Sequence, residues 1–144
     1  MSTAASGDAS ALLERAADID ALESMFAAVR RRSEGRLVLL GGEAGVGKTA
    51  LLRSFCAGLR KPRVLWGNCE PLLTPRPLGP FLDVAEQTGG ELAELLTVPA
   101  RPHEVASGLL RELAGDEPTV LVLEDVHWAD DATLDVMTLL ATRL

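Results

Sequence analysis

The chain has 144 residues, 47% of them hydrophobic and 24% charged, with a net charge of −7. That is long enough for one domain with its own core, and the acidic excess argues against a nucleic-acid surface spread over these residues, which would need a basic surplus. Only 3% of residues are aromatic and there is no Tyr, so the core must be aliphatic. Cys56 and Cys69 lack metal-ligand spacing and read as reduced thiols of a cytosolic protein. No apolar run reaches membrane-spanning length, and MSTAASGDAS lacks the basic and apolar blocks of a signal peptide. A cytoplasmic location without membrane contact is expected.

In chain order, residues 1–10 are small and polar and are expected to be disordered. A single domain over residues 11–144 follows. Residues 11–32 read as an amphipathic helix, with Ile19, Leu22, Phe26 and Val29 on one face and Ser33-Glu34-Gly35 as its stop. Arg30, Arg31 and Arg32 are the dense basic run, placed favourably against the helix dipole as a solvated end. Residues 36–40, four of them apolar, form a run too short for a helix, so a buried strand is expected. Leu51, Leu52, Phe55 and Leu59 then take helical spacing, closed by Gly58 and Pro62. A second strand is expected at 63–66, a loop at 67–80, and a helix at 81–96 broken at Gly89-Gly90. A helix at 103–114 presents Val105, Leu109, Leu110 and Leu113, with His103 on its surface. The strand TVLVLED follows, and Asp130-Asp131 caps a last helix on which Leu134, Met137, Ala141 and Leu144 align. Strands separated by helices imply an α/β fold in three layers around a parallel sheet.

The stretch Gly42-Glu43-Ala44-Gly45-Val46-Gly47-Lys48-Thr49 fits G-x-x-x-x-G-K-[ST] at every position, between an expected strand and an expected helix. Backbone N–H groups can wrap a triphosphate only where side chains do not intervene, hence the glycines. The helix that follows turns its positive end to the phosphates. Lys48 is expected on the β and γ oxygens, and the Thr49 hydroxyl on Mg²⁺, a hard cation that prefers oxygen. The expected ATP-binding set is Gly42, Glu43, Ala44, Gly45, Val46, Gly47, Lys48, Thr49 and Ala50.

Such a loop requires a second element, an apolar strand ending in carboxylates. Val120-Leu121-Val122-Leu123-Glu124-Asp125 supplies it, and both segments are expected at the carboxyl edge of one sheet. Neighbouring strand residues face opposite ways, so the two acids should divide the work. Glu124 is placed on the metal side and Asp125 on the attacking water. The more usual order of the two acids is the reverse, so the opposite division, with the metal on Asp125, stays open. The catalytic set is therefore Lys48, Glu124 and Asp125, and the metal set Thr49, Glu124 and Asp125.

Three stretches together, GGEAGVGKTALL at 41–52, PLGPFLD at 77–83 and LVLEDVHWADDATLD at 121–135, resemble the AAA-like ATPase domain of large bacterial LuxR-type transcriptional regulators, the MalT-like signal-transduction ATPases. Leu12-Leu13-Glu14-Arg15 resembles the start of that domain, where the nucleotide base is approached. The resemblance implies a switch in which ATP binding favours an assembly-competent state, slow hydrolysis resets it, and a C-terminal helix-turn-helix outside these residues binds DNA. It implies homo-oligomers of the full-length protein that depend on ATP. His127 and Trp128 match the family's pattern, and Trp128 is expected to pack the strand end against the next helix.

In that family a later strand separates the loop's strand from the one ending at Glu124. The chain is thus expected to be truncated before the last strands, and unstable by itself. Two other functions fit the same motifs, an ATPase motor, loader or kinase-like enzyme of the same strand plan, and a module that binds nucleotide without turnover. GTP is disfavoured because no Asn-Lys-x-Asp motif occurs. ATP hydrolysis is expected of the full-length protein, and for these residues alone the sequence leaves it open.

Overall fold

In a computed structural model the chain forms two compact units, Met1–Lys61 and Pro62–Leu144. The structure describes residues 5–43, 45–74 and 76–144, and of residues 5–14 the helical backbone only.

The first unit holds α1 (Ala5–Arg32) and α2 (Lys48–Gly58). Disorder was expected through residue 10, yet α1 already begins at Ala5; residues 1–4 lie outside the described residues. Helix propagation adds one bond per residue once a turn exists, so a well-formed helix extends into the small-residue stretch ahead of it. Ile19, Leu22, Phe26 and Val29 are all half-buried, as their spacing requires. Phe26 meets Phe55 of α2 edge to face, with ring centroids 6.3 Å apart. Ser33 stops α1 by taking φ 54°, and its amide donates to the Val29 carbonyl at 2.9 Å. Arg30, Arg31 and Arg32 stand exposed in the last turn.

The second unit runs β1 (Arg63–Asn68), α3 (Gly79–Thr88), α4 (Glu91–Leu95), α5 (Pro102–Leu113), β2 (Thr119–Glu124), a 3-10 turn (Val126–Trp128) and α6 (Asp131–Ala141). β1 and β2 pair in parallel, Leu65 opposite Leu121 and Asn68 opposite Glu124. This is the parallel sheet of an α/β fold. Leu65 joins Phe81, Val84, Leu92, Val105, Leu109, Val136 and Leu140 in the core, with Leu121 and Leu123 packed against it. The core is aliphatic apart from Phe81.

A two-stranded sheet has open edges, which need partners. On the outer edge of β1, side chains of α3 stand in for a strand. Gln87 accepts from the Trp66 amide (3.0 Å) and donates to the Trp66 carbonyl (2.6 Å), while Asp83 accepts from the Asn68 amide (3.0 Å). Gln87 and Asp83 are four apart on one helix face, matching residues two apart on a strand. α3 and α4 part where expected, at Gly89, whose φ of 62° and amide bond to the Ala85 carbonyl (2.8 Å) close α3.

Three further expectations are corrected. Residues 36–40 are not a strand; they have no ladder to any described strand, and Leu39 is 80% exposed. A strand is made by non-local pairing of its amides and carbonyls, and an apolar run alone does not supply the partner. The loop expected at 67–80 is shorter, because β1 continues to Asn68 and Pro80 opens α3 from within its first turn. On α6 the buried residues are Thr133, Val136 and Leu140, while Leu134 and Leu144 are 42% and 44% exposed. The period was right and the phase was off by one residue, roughly 100° of rotation.

Asp130 sets that phase. Its carboxylate accepts from the Thr133 amide (3.3 Å), the Thr133 hydroxyl and the Leu78 amide (3.3 Å). Thr133 is fully buried, and Leu78 holds a left-handed backbone (φ 57°) at the start of α3. Asp130→Ala removes a helix cap and leaves three donors without their acceptor. A loss of about 2–4 kcal/mol is expected in urea unfolding, with Asp130→Asn recovering much of it.

Candidate functional site

The glycine-rich loop lies between α1 and α2 in sequence. Gly45 (φ 82°) and Gly47 (φ 89°) adopt left-handed backbone that other residues rarely take. Gly47 precedes α2 with no side-chain cap, and the first turn of α2 holds no acidic residue. The Leu51 amide closes on the Gly47 carbonyl at 2.9 Å. The start of a helix is electropositive, and here neither a capping side chain of Gly47 nor an acidic residue of the first turn offsets it.

The Lys48 ammonium folds back over the loop, donating to the carbonyls of Gly42 (2.5 Å) and Glu43 (2.9 Å). The Val46 amide bonds the Glu43 carbonyl at 3.4 Å. Gly42, Glu43, Gly45 and Val46 are exposed, and Thr49 and Ala50 follow in the first turn of α2. Ala44 lies outside the described residues.

Sequence reasoning left one loop contact out of the site. Arg15, on α1, donates from Nη2 to the Val46 carbonyl at 3.5 Å. A Cβ placed on Gly47 would collide with Arg15 Nη2 and sit 3.1 Å from its Cζ. Two cations, Lys48 and Arg15, therefore stand at the loop. The family-like start at Leu12-Leu13-Glu14-Arg15 was the available signal; only the fold shows that Arg15 itself reaches the glycines.

In the second unit, Glu124 and Asp125 differ in surroundings, though not through strand alternation. β2 ends at Glu124, and Asp125 already turns left-handed (φ 54°) to start the 3-10 turn, its carbonyl accepting from the Trp128 amide at 2.8 Å. Asp125 is exposed. Glu124 is half-buried, and its Oε2 accepts from the Trp66 indole N–H at 2.7 Å. Trp66 is a second residue that the sequence did not connect to the site.

The edge beyond β2 is electronegative. The Cys69 amide donates to the Glu124 carbonyl at 3.1 Å. Burial pushes the Cys69 thiol up to about 11, helped by the charges of Asp130, Asp125 and Asp83. Cys69 is thus a buried neutral thiol beside carboxylates, of which Asp83 is paired with Arg76 at 2.6 Å. Burial also raises the Cys56 thiol. His103 is an exposed residue of α5. Trp128 does not pack under α6; it is 47% exposed, tilted against His127 with ring centroids 5.1 Å apart. The 3-10 turn carries it out to a small cleft shared with Asn68, Cys69 and Arg76.

Neither curated proteins nor solved structures give a match. One protein family does, that described as AAA ATPase domain, over residues 11–144. Its span takes in both the glycine loop ahead of α2 and the acidic end of β2, and by that match the chain belongs to the AAA ATPase domain family, a P-loop class of nucleotide-binding domains.

Proposed function

We propose that the chain binds Mg-ATP and acts as the regulatory ATPase module of a LuxR-type transcriptional regulator. The observation that carries nucleotide binding is the left-handed Gly45 and Gly47 leading into the start of α2, with Lys48 and Arg15 beside them. The loop fits a polyphosphate. Gly45 faces open space where a side chain would stand, Gly47 makes room for the Arg15 guanidinium, and the two cations and helix end oppose negative charge.

Each residue has a role. Lys48 exchanges the Gly42 and Glu43 carbonyls for phosphate oxygens, as a charge on a flexible stem can. Arg15 adds a second cation. Thr49 gives a hydroxyl, and Glu124 a carboxylate, to the metal side. Both are hard oxygen donors, as Mg²⁺ requires. Asp125, exposed past the end of β2, orients and deprotonates water. Mg-ATP, when bound, supplies the phosphoanhydride bond whose cleavage resets the switch.

The regulatory role rests on the likeness of residues 41–52, 77–83 and 121–135 to LuxR-type regulators. DNA contact is assigned to a separate C-terminal domain, ATP-dependent assembly to the full-length protein, and the location to the cytoplasm. No helix among the described residues is long and apolar enough to cross a membrane.

Asp125→Asn tests the hydrolytic reading. Nucleotide affinity is expected to stay within about twofold while turnover falls about 10²–10⁴-fold, the range for loss of a general base. Unchanged turnover in the full-length protein would remove Asp125 from the water-orienting role.

A further inference from the structure

The Trp66–Glu124 contact goes beyond the proposed site. The parallel register sets Trp66 opposite Val122 and Asn68 opposite Glu124, so Trp66 and Glu124 are diagonal neighbours on one face of the sheet. The indole N–H reaches Oε2 at 2.7 Å in part-buried surroundings. An indole nitrogen only donates, and its bond to an ionised carboxylate is about twice as strong as a neutral one. Trp66 is itself anchored, because Gln87 clasps both its amide and its carbonyl. Glutamate has one more rotatable bond than aspartate, and a carboxylate on a longer stem needs something to hold it in place.

We propose that Trp66 is a positioning residue for Glu124, fixing its carboxylate so that the cation meets one orientation rather than many. This rests on the assignment of Glu124 to the metal side. It gives the indole a task in metal binding besides filling the face of the sheet.

The test uses Mn²⁺ as the probe, with a non-hydrolysable ATP analogue, read by electron paramagnetic resonance. Trp66→Phe keeps a ring and removes the N–H. It is expected to weaken Mn²⁺ binding about three- to tenfold, with metal-free nucleotide affinity unchanged. In a Glu124→Asp background, where the carboxylate is too short to reach the indole, Trp66→Phe should add nothing. Equal losses in both backgrounds would mean a packing role and overturn the proposal. Glu124→Gln separates the two levels. If it leaves Mn²⁺ binding intact, the metal-side reading fails and takes this inference with it. If it weakens binding while Trp66→Phe does not, only the positioning role falls. A second readout needs no Trp66 variant. The Trp66 indole N–H resonance of the wild-type protein should be broadened by bound Mn²⁺, and absence of broadening would overturn the proposal.

Discussion

Lys48→Ala is expected to weaken ATP binding by roughly 100-fold or more while leaving the unfolding midpoint almost unchanged. In the present geometry the ammonium makes two hydrogen bonds, both to carbonyls of its own loop and both in exposed surroundings. Bonds that water can replace contribute little to stability. Against phosphate the same group makes charge-assisted bonds of about 1.5–3 kcal/mol each. Two such bonds, less the two carbonyl bonds given up, leave about 3 kcal/mol, which is more than a hundredfold in affinity. Calorimetric titration with ATP and thermal melts of the same samples separate the two effects. Lys48→Arg should not restore binding, because a planar guanidinium does not fit where a compact ammonium is cradled by glycine backbone. Full affinity in Lys48→Ala would place the nucleotide elsewhere.

That prediction could be framed from the sequence because the loop is a local object. Gly45, Gly47 and Lys48 fall within four residues, and their backbone angles follow from residue type. The helix ends at Ser33, Gly58 and Gly89 are local in the same sense, as is the cap at Asp130. What escaped the sequence depends on distant pairings. The apolar run at 36–40 carries the composition of a strand, but a strand needs a ladder. Arg15 reaches Val46 across 31 residues, and Trp66 reaches Glu124 across 58. On α6 the pattern had two solutions one residue apart. The favoured one, through Leu134 and Ala141, was the more apolar. The one adopted buries Thr133, a polar residue acceptable there only because Asp130 satisfies it.

Gly67→Ala is expected to destabilise the second unit by about 3 kcal/mol, near the upper end for overpacking. A Cβ at Gly67 would collide with the Pro80 carbonyl oxygen and lie 2.9 Å from both the carbonyl carbon and the Cβ of Pro80. The first obstacle is backbone, so no rotamer change relieves it. α3 must move away from β1 at its first turn. That helix carries the fully buried Phe81 and Val84, and the Asp83 and Gln87 side chains that close the edge of β1. Displacing Pro80 therefore strains core and edge together. Two other glycines act as controls in urea unfolding. At Gly108 the nearest atom is the Leu95 Cδ2, 3.2 Å away, at the end of a flexible side chain. Alanine there gains up to about 1 kcal/mol of helix propensity, which offsets the tighter fit. At Gly115 nothing lies within 4 Å, and alanine should change stability by less than about 0.5 kcal/mol. A cost at Gly67 no larger than at Gly108 would show that α3 is free to retreat. In that case Gln87 could not hold the Trp66 backbone firmly enough for the indole to position Glu124.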